Sequence, residues 1–181
     1  MAANTVIHGF APTVAADVNR QSDMIDIGGR RLAFACAGEG TPVVILETGL
    51  GAESAEWAAV QDEVSKVTRV LRYDRAGRGA SDAAPSPRTA LDMLGDLREL
   101  LRRTGLGGPF ILVGQSFGGL LMRLFAHRHA SEVAGVVLVD SMHEGQFDIF
   151  GQTFPPPFPG EPEELARVRR FWQGGWRFFH N

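Results

Sequence analysis

Short apolar runs alternate along the chain with segments of helical spacing, and glycine- or proline-rich breaks separate them. Asp23 to Ile27 and Arg30 to Ala37 read as two strands joined by a Gly28-Gly29 hairpin. Val43 to Glu47 is a continuous apolar run of the kind found in strands covered on both faces, and it ends in Thr48-Gly49-Leu50-Gly51. Glu53 to Lys66 brings Trp57, Val60 and Val64 to helical spacing, Thr68 to Tyr73 is another strand, and Asp74 to Asp82 closes it. After a proline-rich loop, Thr89 to about Arg103 predicts a helix with Leu91, Leu94, Leu97, Leu100 and Leu101 on one side, stopped by Thr104 to Pro109. Phe110 to Val113, a helix from Phe117 to about His129, and the buried strand Val133 to Val139 follow. Strands and helices alternating at this spacing predict an α/β fold, a mostly parallel twisted sheet with helices on both faces.

The ends differ from this core. Residues 1–23 are a loosely patterned N-terminal segment and residues 24–145 hold the alternating pattern. Residues 146–181 carry Phe147, Phe150, Phe154, three consecutive prolines at 155–157, a short helical run from Glu163 to Trp172, and an aromatic end with Trp176, Phe178 and Phe179. No strand pattern recurs there.

Composition narrows the function classes. With 44% hydrophobic and 22% charged residues in 181, one globular domain with a sizeable core is expected. Eighteen basic against 21 acidic residues give a net charge of -3, and the arginines are scattered along the sequence. Neither nucleic acid nor an anionic membrane is expected as a partner. No stretch approaches the ~18 apolar residues of a membrane span, and the N-terminus lacks the apolar centre of a signal peptide, so a cytoplasmic location is expected. Cys36 is the one cysteine, lies in an apolar stretch, and is read as a small buried core residue. No metal site or cofactor is expected.

The chemistry is carried by Gly114-Gln115-Ser116-Phe117-Gly118-Gly119, directly after the Phe110 to Val113 strand and opening the next helix. A serine at the apex of such a turn is a nucleophile elbow, with small residues where a Cβ would bring backbone segments into collision. The turn lifts Ser116 Oγ clear of the sheet and points the Phe117 N–H toward the same space, so nucleophile and oxyanion donor are supplied together. Ligands in open parallel sheets gather beyond the carboxyl ends of the strands, where Ser116, Leu50, Asp74 and Asp140 all fall. Asp74-Arg75 with Arg78 read as an ion pair stapling their loop, with anion binding as the other reading. The elbow lacks the Gly-Lys-Ser/Thr of a P-loop and the glycine spacing of a dinucleotide site.

In combination, Thr48-Gly49-Leu50-Gly51, Tyr73 to Ser81, the GQSFGG elbow and the strand end Val136 to Asp140 resemble the α/β-hydrolase superfamily, in its order, over roughly residues 24–145. The resemblance implies Ser116 as nucleophile and the backbone N–H groups of Phe117 and Leu50 as the oxyanion hole. Thr48-Gly49 stands where His-Gly is common, a change expected to affect the orientation of the donor more than its existence, because the donor is a backbone amide. The resemblance also implies a C-terminally truncated α/β-hydrolase fold in which residues 146–181 begin a helical cap, because the triad order is Ser, then acid, then His on later strands.

Among the histidines, His127 and His129 lie on the helix after the elbow and read as surface residues, and His8 and His180 sit near the chain ends. His143 has a positional argument as base, since Asp140 to Glu144 follows the strand next to the elbow; the other reading is that it orders that loop. By resemblance, Asp140 or Glu144 would orient such a base. The expectation is a serine hydrolase acting on a small apolar ester, amide or lactone through an acyl-enzyme. The alternatives are an N-terminal portion inactive alone and completed by another chain, or a non-catalytic binding protein on a hydrolase scaffold. An unpaired sheet edge beside the last strand would favour a homo-oligomer or a complementing C-terminal chain.

Overall fold

The computed structural model describes residues 23–146, 149, 152 and 156–174. The N-terminal segment with His8, the residues Phe147, Phe150, Phe154 and Pro155, and the aromatic end with Trp176, Phe178, Phe179 and His180 lie outside the described residues.

Six strands, β1 (Asp23–Asp26), β2 (Arg31–Ala37), β3 (Val43–Glu47), β4 (Val70–Tyr73), β5 (Phe110–Gln115) and β6 (Val133–Val139), form one sheet in the order β1-β2-β4-β3-β5-β6. The β1–β2 and β2–β4 pairs are antiparallel and the β4–β3, β3–β5 and β5–β6 pairs are parallel. The hairpin closes through an Ile27 N–H to Arg30 carbonyl bond of 2.9 Å. Gly28 and Gly29 there take φ of 98° and 91°, values a side chain disfavours.

A 3-10 turn (Ser54–Trp57) leads into α1 (Ala58–Val64), and α2 (Ala90–Thr104) and α3 (Phe117–Arg128) complete the core, with α4 (Glu163–Gly174) beyond it. The pleat of β3 divides the packing between two faces. Val43 and Ile45 join Leu71, Leu97, Leu112 and Phe125 in the cluster under α2 and α3. Val44 and Leu46 pack on the opposite side with Val70, Trp57 and Val64, below α1. All five β3 residues are buried, as a strand covered on both faces requires.

Two placements depart from the sequence pattern. Cys36 is exposed rather than a core residue. The physical reason is its place in the sheet: among the described residues β1 pairs with β2 from Arg31 to Phe34, so Cys36 lies beyond that pairing, opposite Leu71 of β4. β6 was expected to be buried, but Val136, Val137, Leu138 and Val139 are 39–48% exposed. It pairs with β5 and, among the described residues, forms an edge of the sheet.

α2 begins with a reciprocal capping box, in which the Thr89 side chain accepts from the Asp92 N–H and the Asp92 carboxylate accepts from the Thr89 N–H at 2.8 Å. This fixes the start of the helix that carries Met93 and Asp96. Thr89→Ala is expected to lower stability by about 1 kcal/mol in urea unfolding. No described helix is long and apolar enough to cross a membrane.

Candidate active site

β3 and β5 are adjacent but far apart in sequence, and their carboxyl ends form the crevice where strand connections diverge. Ser116 stands at the end of β5 with φ 51° and ψ -119°, outside the regions a serine ordinarily takes. Such strain persists only where surroundings enforce it. Here the Ser116 N–H donates to the Val139 carbonyl at 3.1 Å, and its own carbonyl accepts from Gly119 and Met142, each at 3.0 Å. β6 and its loop therefore hold the elbow from one side.

The glycines explain why no other residue type serves. A Cβ on Gly118 would lie 2.5 Å from the carbonyl oxygens of Glu47 and Thr48, and one on Gly114 would lie 2.5 Å from the Gly118 oxygen. A Cβ on Gly49 would lie 3.4 Å from Ser116 Cβ, so the Thr48 to Gly51 loop packs directly against the serine.

Beneath that loop is a buried polar cluster. Glu47 is fully buried, with one carboxylate oxygen accepting from Arg75 Nη1 and the other from the Tyr73 hydroxyl. Arg75 Nη1 also donates to the Thr48 carbonyl at 2.8 Å, and Nη2 donates to the Gly49 carbonyl. Its guanidinium lies 5.5 Å from the centre of the Phe117 ring. Burial pushes the Glu47 carboxyl up, against the pull of the Arg75 charge, and burial together with Glu47 holds Tyr73 protonated well above its ordinary range. In a trans peptide the N–H points opposite to the preceding carbonyl. With the Gly49 carbonyl drawn to Arg75, the Leu50 N–H turns away from the cluster, and among the described residues no acceptor is recorded for it. Phe117 opens α3, so its N–H belongs to the positively polarised first turn.

This cluster was invisible in the sequence. Arg75 does not pair with Asp74, as the adjacent charges suggested. Asp74 instead accepts from the Ser54 N–H at 2.7 Å and the Ala80 N–H at 3.2 Å, stapling its loop through backbone groups. Glu47 looked like the end of an apolar strand, and a carboxylate closing such a run is the signal that could have found it.

The β6 loop approaches the elbow through its backbone. Asp140 is exposed with φ 44° and sits between the two residues, Val139 and Met142, that bond to Ser116. The His143 ring is 65% exposed, and its Nδ1 accepts from the Gly145 N–H at 3.0 Å. Neither side chain has a recorded bond to Ser116 Oγ among the described residues. Glu144 pairs with Arg123 of α3 at 2.6 Å. His127 is exposed, as expected, whereas His129 is half-buried against Phe125 with ring centres 4.9 Å apart. Among the described residues no group of side chains has metal-site geometry.

Residues 42–177 match the family model for the alpha/beta hydrolase fold. The chain belongs to the α/β-hydrolase fold family. It is 37% identical over 107 residues to an AB hydrolase superfamily protein of Gibberella zeae, covering 57% of this chain and 33% of that one. It is also 37% identical over 129 residues to a Hormonema carpetanum protein named "Probable transporter efuK", covering 67% of this chain and 18% of that protein. The enol-lactonase from Burkholderia xenovorans LB400 superposes with a TM-score of 0.62 at 26% identity, over 86% of this chain and 68% of the lactonase. The chain thus spans from a fifth to a third of these curated relatives.

Proposed function

We propose that this α/β-hydrolase chain carries the nucleophile half of a serine hydrolase for small apolar esters, lactones or amides. The observation that carries the reading is the strained Ser116 backbone at the elbow with the Thr48 to Gly51 loop packed against it. Ser116 Oγ attacks the substrate carbonyl carbon, and the resulting oxyanion accepts from the Leu50 and Phe117 N–H groups. Collapse expels the leaving group with a proton, and water then cleaves the acyl-enzyme to acid and free serine. Asp140 and His143, on the loop that backs Ser116, are the proposed acid and base.

A second reading is favoured by the free apolar edge at β6: another polypeptide segment pairs there and brings the base to Ser116. Both readings keep Ser116 as nucleophile. The test common to them is covalent labelling by a fluorophosphonate, in which an Oγ–P bond forms and fluoride leaves. The label is expected on the peptide holding Ser116 and absent in Ser116→Ala. An unlabelled wild-type chain would overturn the reading in which this chain holds its own base, leaving completion by another segment or a non-catalytic scaffold.

A further inference from the structure

The arginines, scattered in sequence, converge in space. A cavity of about 100 Å³ beside the oxyanion loop is lined by Leu50, Arg75, Arg78, Arg88, Met93 and Asp96 among others. Arg75 is engaged by Glu47 and the loop carbonyls. Asp96, buried on α2, is shared by two guanidinium groups, Arg30 and Arg88, the latter at 2.7 Å. Three arginines, Arg75, Arg78 and Arg88, line the cavity with one carboxylate, Asp96, and Glu47 behind Arg75, so the wall carries excess positive charge. Two donors remain unspent among the described residues. The Arg88 Nε is buried without an acceptor, and no ion pair or hydrogen bond is recorded for the exposed Arg78 guanidinium. A buried guanidinium nitrogen without an acceptor calls for one, and a planar fork is matched best by a carboxylate.

We propose that this cavity is a carboxylate subsite, held by Arg78 and Arg88, so that the substrate is an ester, lactone or amide that also bears a carboxylate a few bonds from its reacting carbonyl. The placement follows from Leu50, which lines the cavity and whose N–H the proposed reaction assigns to the oxyanion. The link to hydrolysis rests on the acyl-enzyme reading; the subsite itself does not. It also narrows the apolar substrate class, since a purely apolar substrate would leave the Arg78 guanidinium and the Arg88 Nε without an acceptor.

The test separates the two. Binding of glutarate and of its neutral counterpart glutaramide is measured by calorimetry on Ser116→Ala, alone and combined with Arg78→Ala or Arg78→Lys. Turnover of 4-acetoxybenzoate and 4-acetoxybenzamide is measured on the wild type and on Arg78→Ala. Glutarate is expected to bind at least tenfold tighter than glutaramide, to lose about tenfold or more in Arg78→Ala, to recover in part in Arg78→Lys, and to weaken with added salt. Because Arg78 is exposed and unpaired, its alanine variant is expected to melt with the wild type. Glutarate binding no tighter than glutaramide, or unchanged by Arg78→Ala, overturns the subsite whatever the esters do. Turnover of neither ester with glutarate binding intact overturns the reading in which this chain hydrolyses esters unaided and leaves the subsite standing.

Discussion

Replacing Glu47 with alanine is expected to destabilise the fold by about 3–5 kcal/mol, because it strands a buried guanidinium without its counter-charge. Arg75 is 7% exposed and Glu47 is fully buried, so water does not replace the lost partner. At the size of this chain that loss lowers the melting temperature by roughly 6–20 °C. Removing both charges has a different outcome, since a buried ion pair exchanged for apolar side chains of similar volume is often near neutral. Arg75, however, also holds the carbonyls of Thr48 and Gly49. Glu47→Met with Arg75→Met is therefore expected to recover part of the stability lost in Glu47→Ala, while the loop that orients the Leu50 N–H stays loosened. Urea unfolding with fluorophosphonate labelling rates separates the two effects. A double variant that labels at the wild-type rate would show that the cluster stabilises the fold without positioning the oxyanion loop.

The elements were legible because each carries a local period. β3 announced itself by five residues that all need cover, and α2 by leucines at helical spacing behind Thr89 and Asp92. The elbow was legible because its glycines are forced by backbone contacts that any chain making this turn must meet. What sequence hides is pairing between distant residues. Arg75 stands beside Asp74 in the chain but turns under the oxyanion loop to Glu47, a partner 28 residues away. The same holds for charge: Arg75, Arg78 and Arg88 look dispersed until the loop after β4 and the segment before α2 bring them to one cavity. Cys36 failed for a related reason, since its exposure depends on what the folded sheet sets beside it.

Ser116→Ala is expected to abolish turnover of a short-chain 4-nitrophenyl ester, a loss on the order of 10⁶ in kcat where a complete triad operates. The more informative comparison is with His143. With its Nδ1 accepting from the Gly145 N–H, the neutral ring carries its proton on Nε2, so to act as base it must first release that bond. An exposed hydrogen bond is worth about 1 kcal/mol, roughly fivefold in rate, which is small beside the contribution of a general base. The present ring orientation therefore does not remove His143 from the reaction. If it takes the proton from Ser116 Oγ, His143→Ala falls as far as Ser116→Ala, and the double variant falls no further, because members of such a unit are not additive. A loss under tenfold in His143→Ala, with turnover still abolished in Ser116→Ala, would assign the base to a segment seated against the exposed edge of β6. Charged substitutions at Val137 and Leu138 would then abolish turnover while leaving the His143 loop intact.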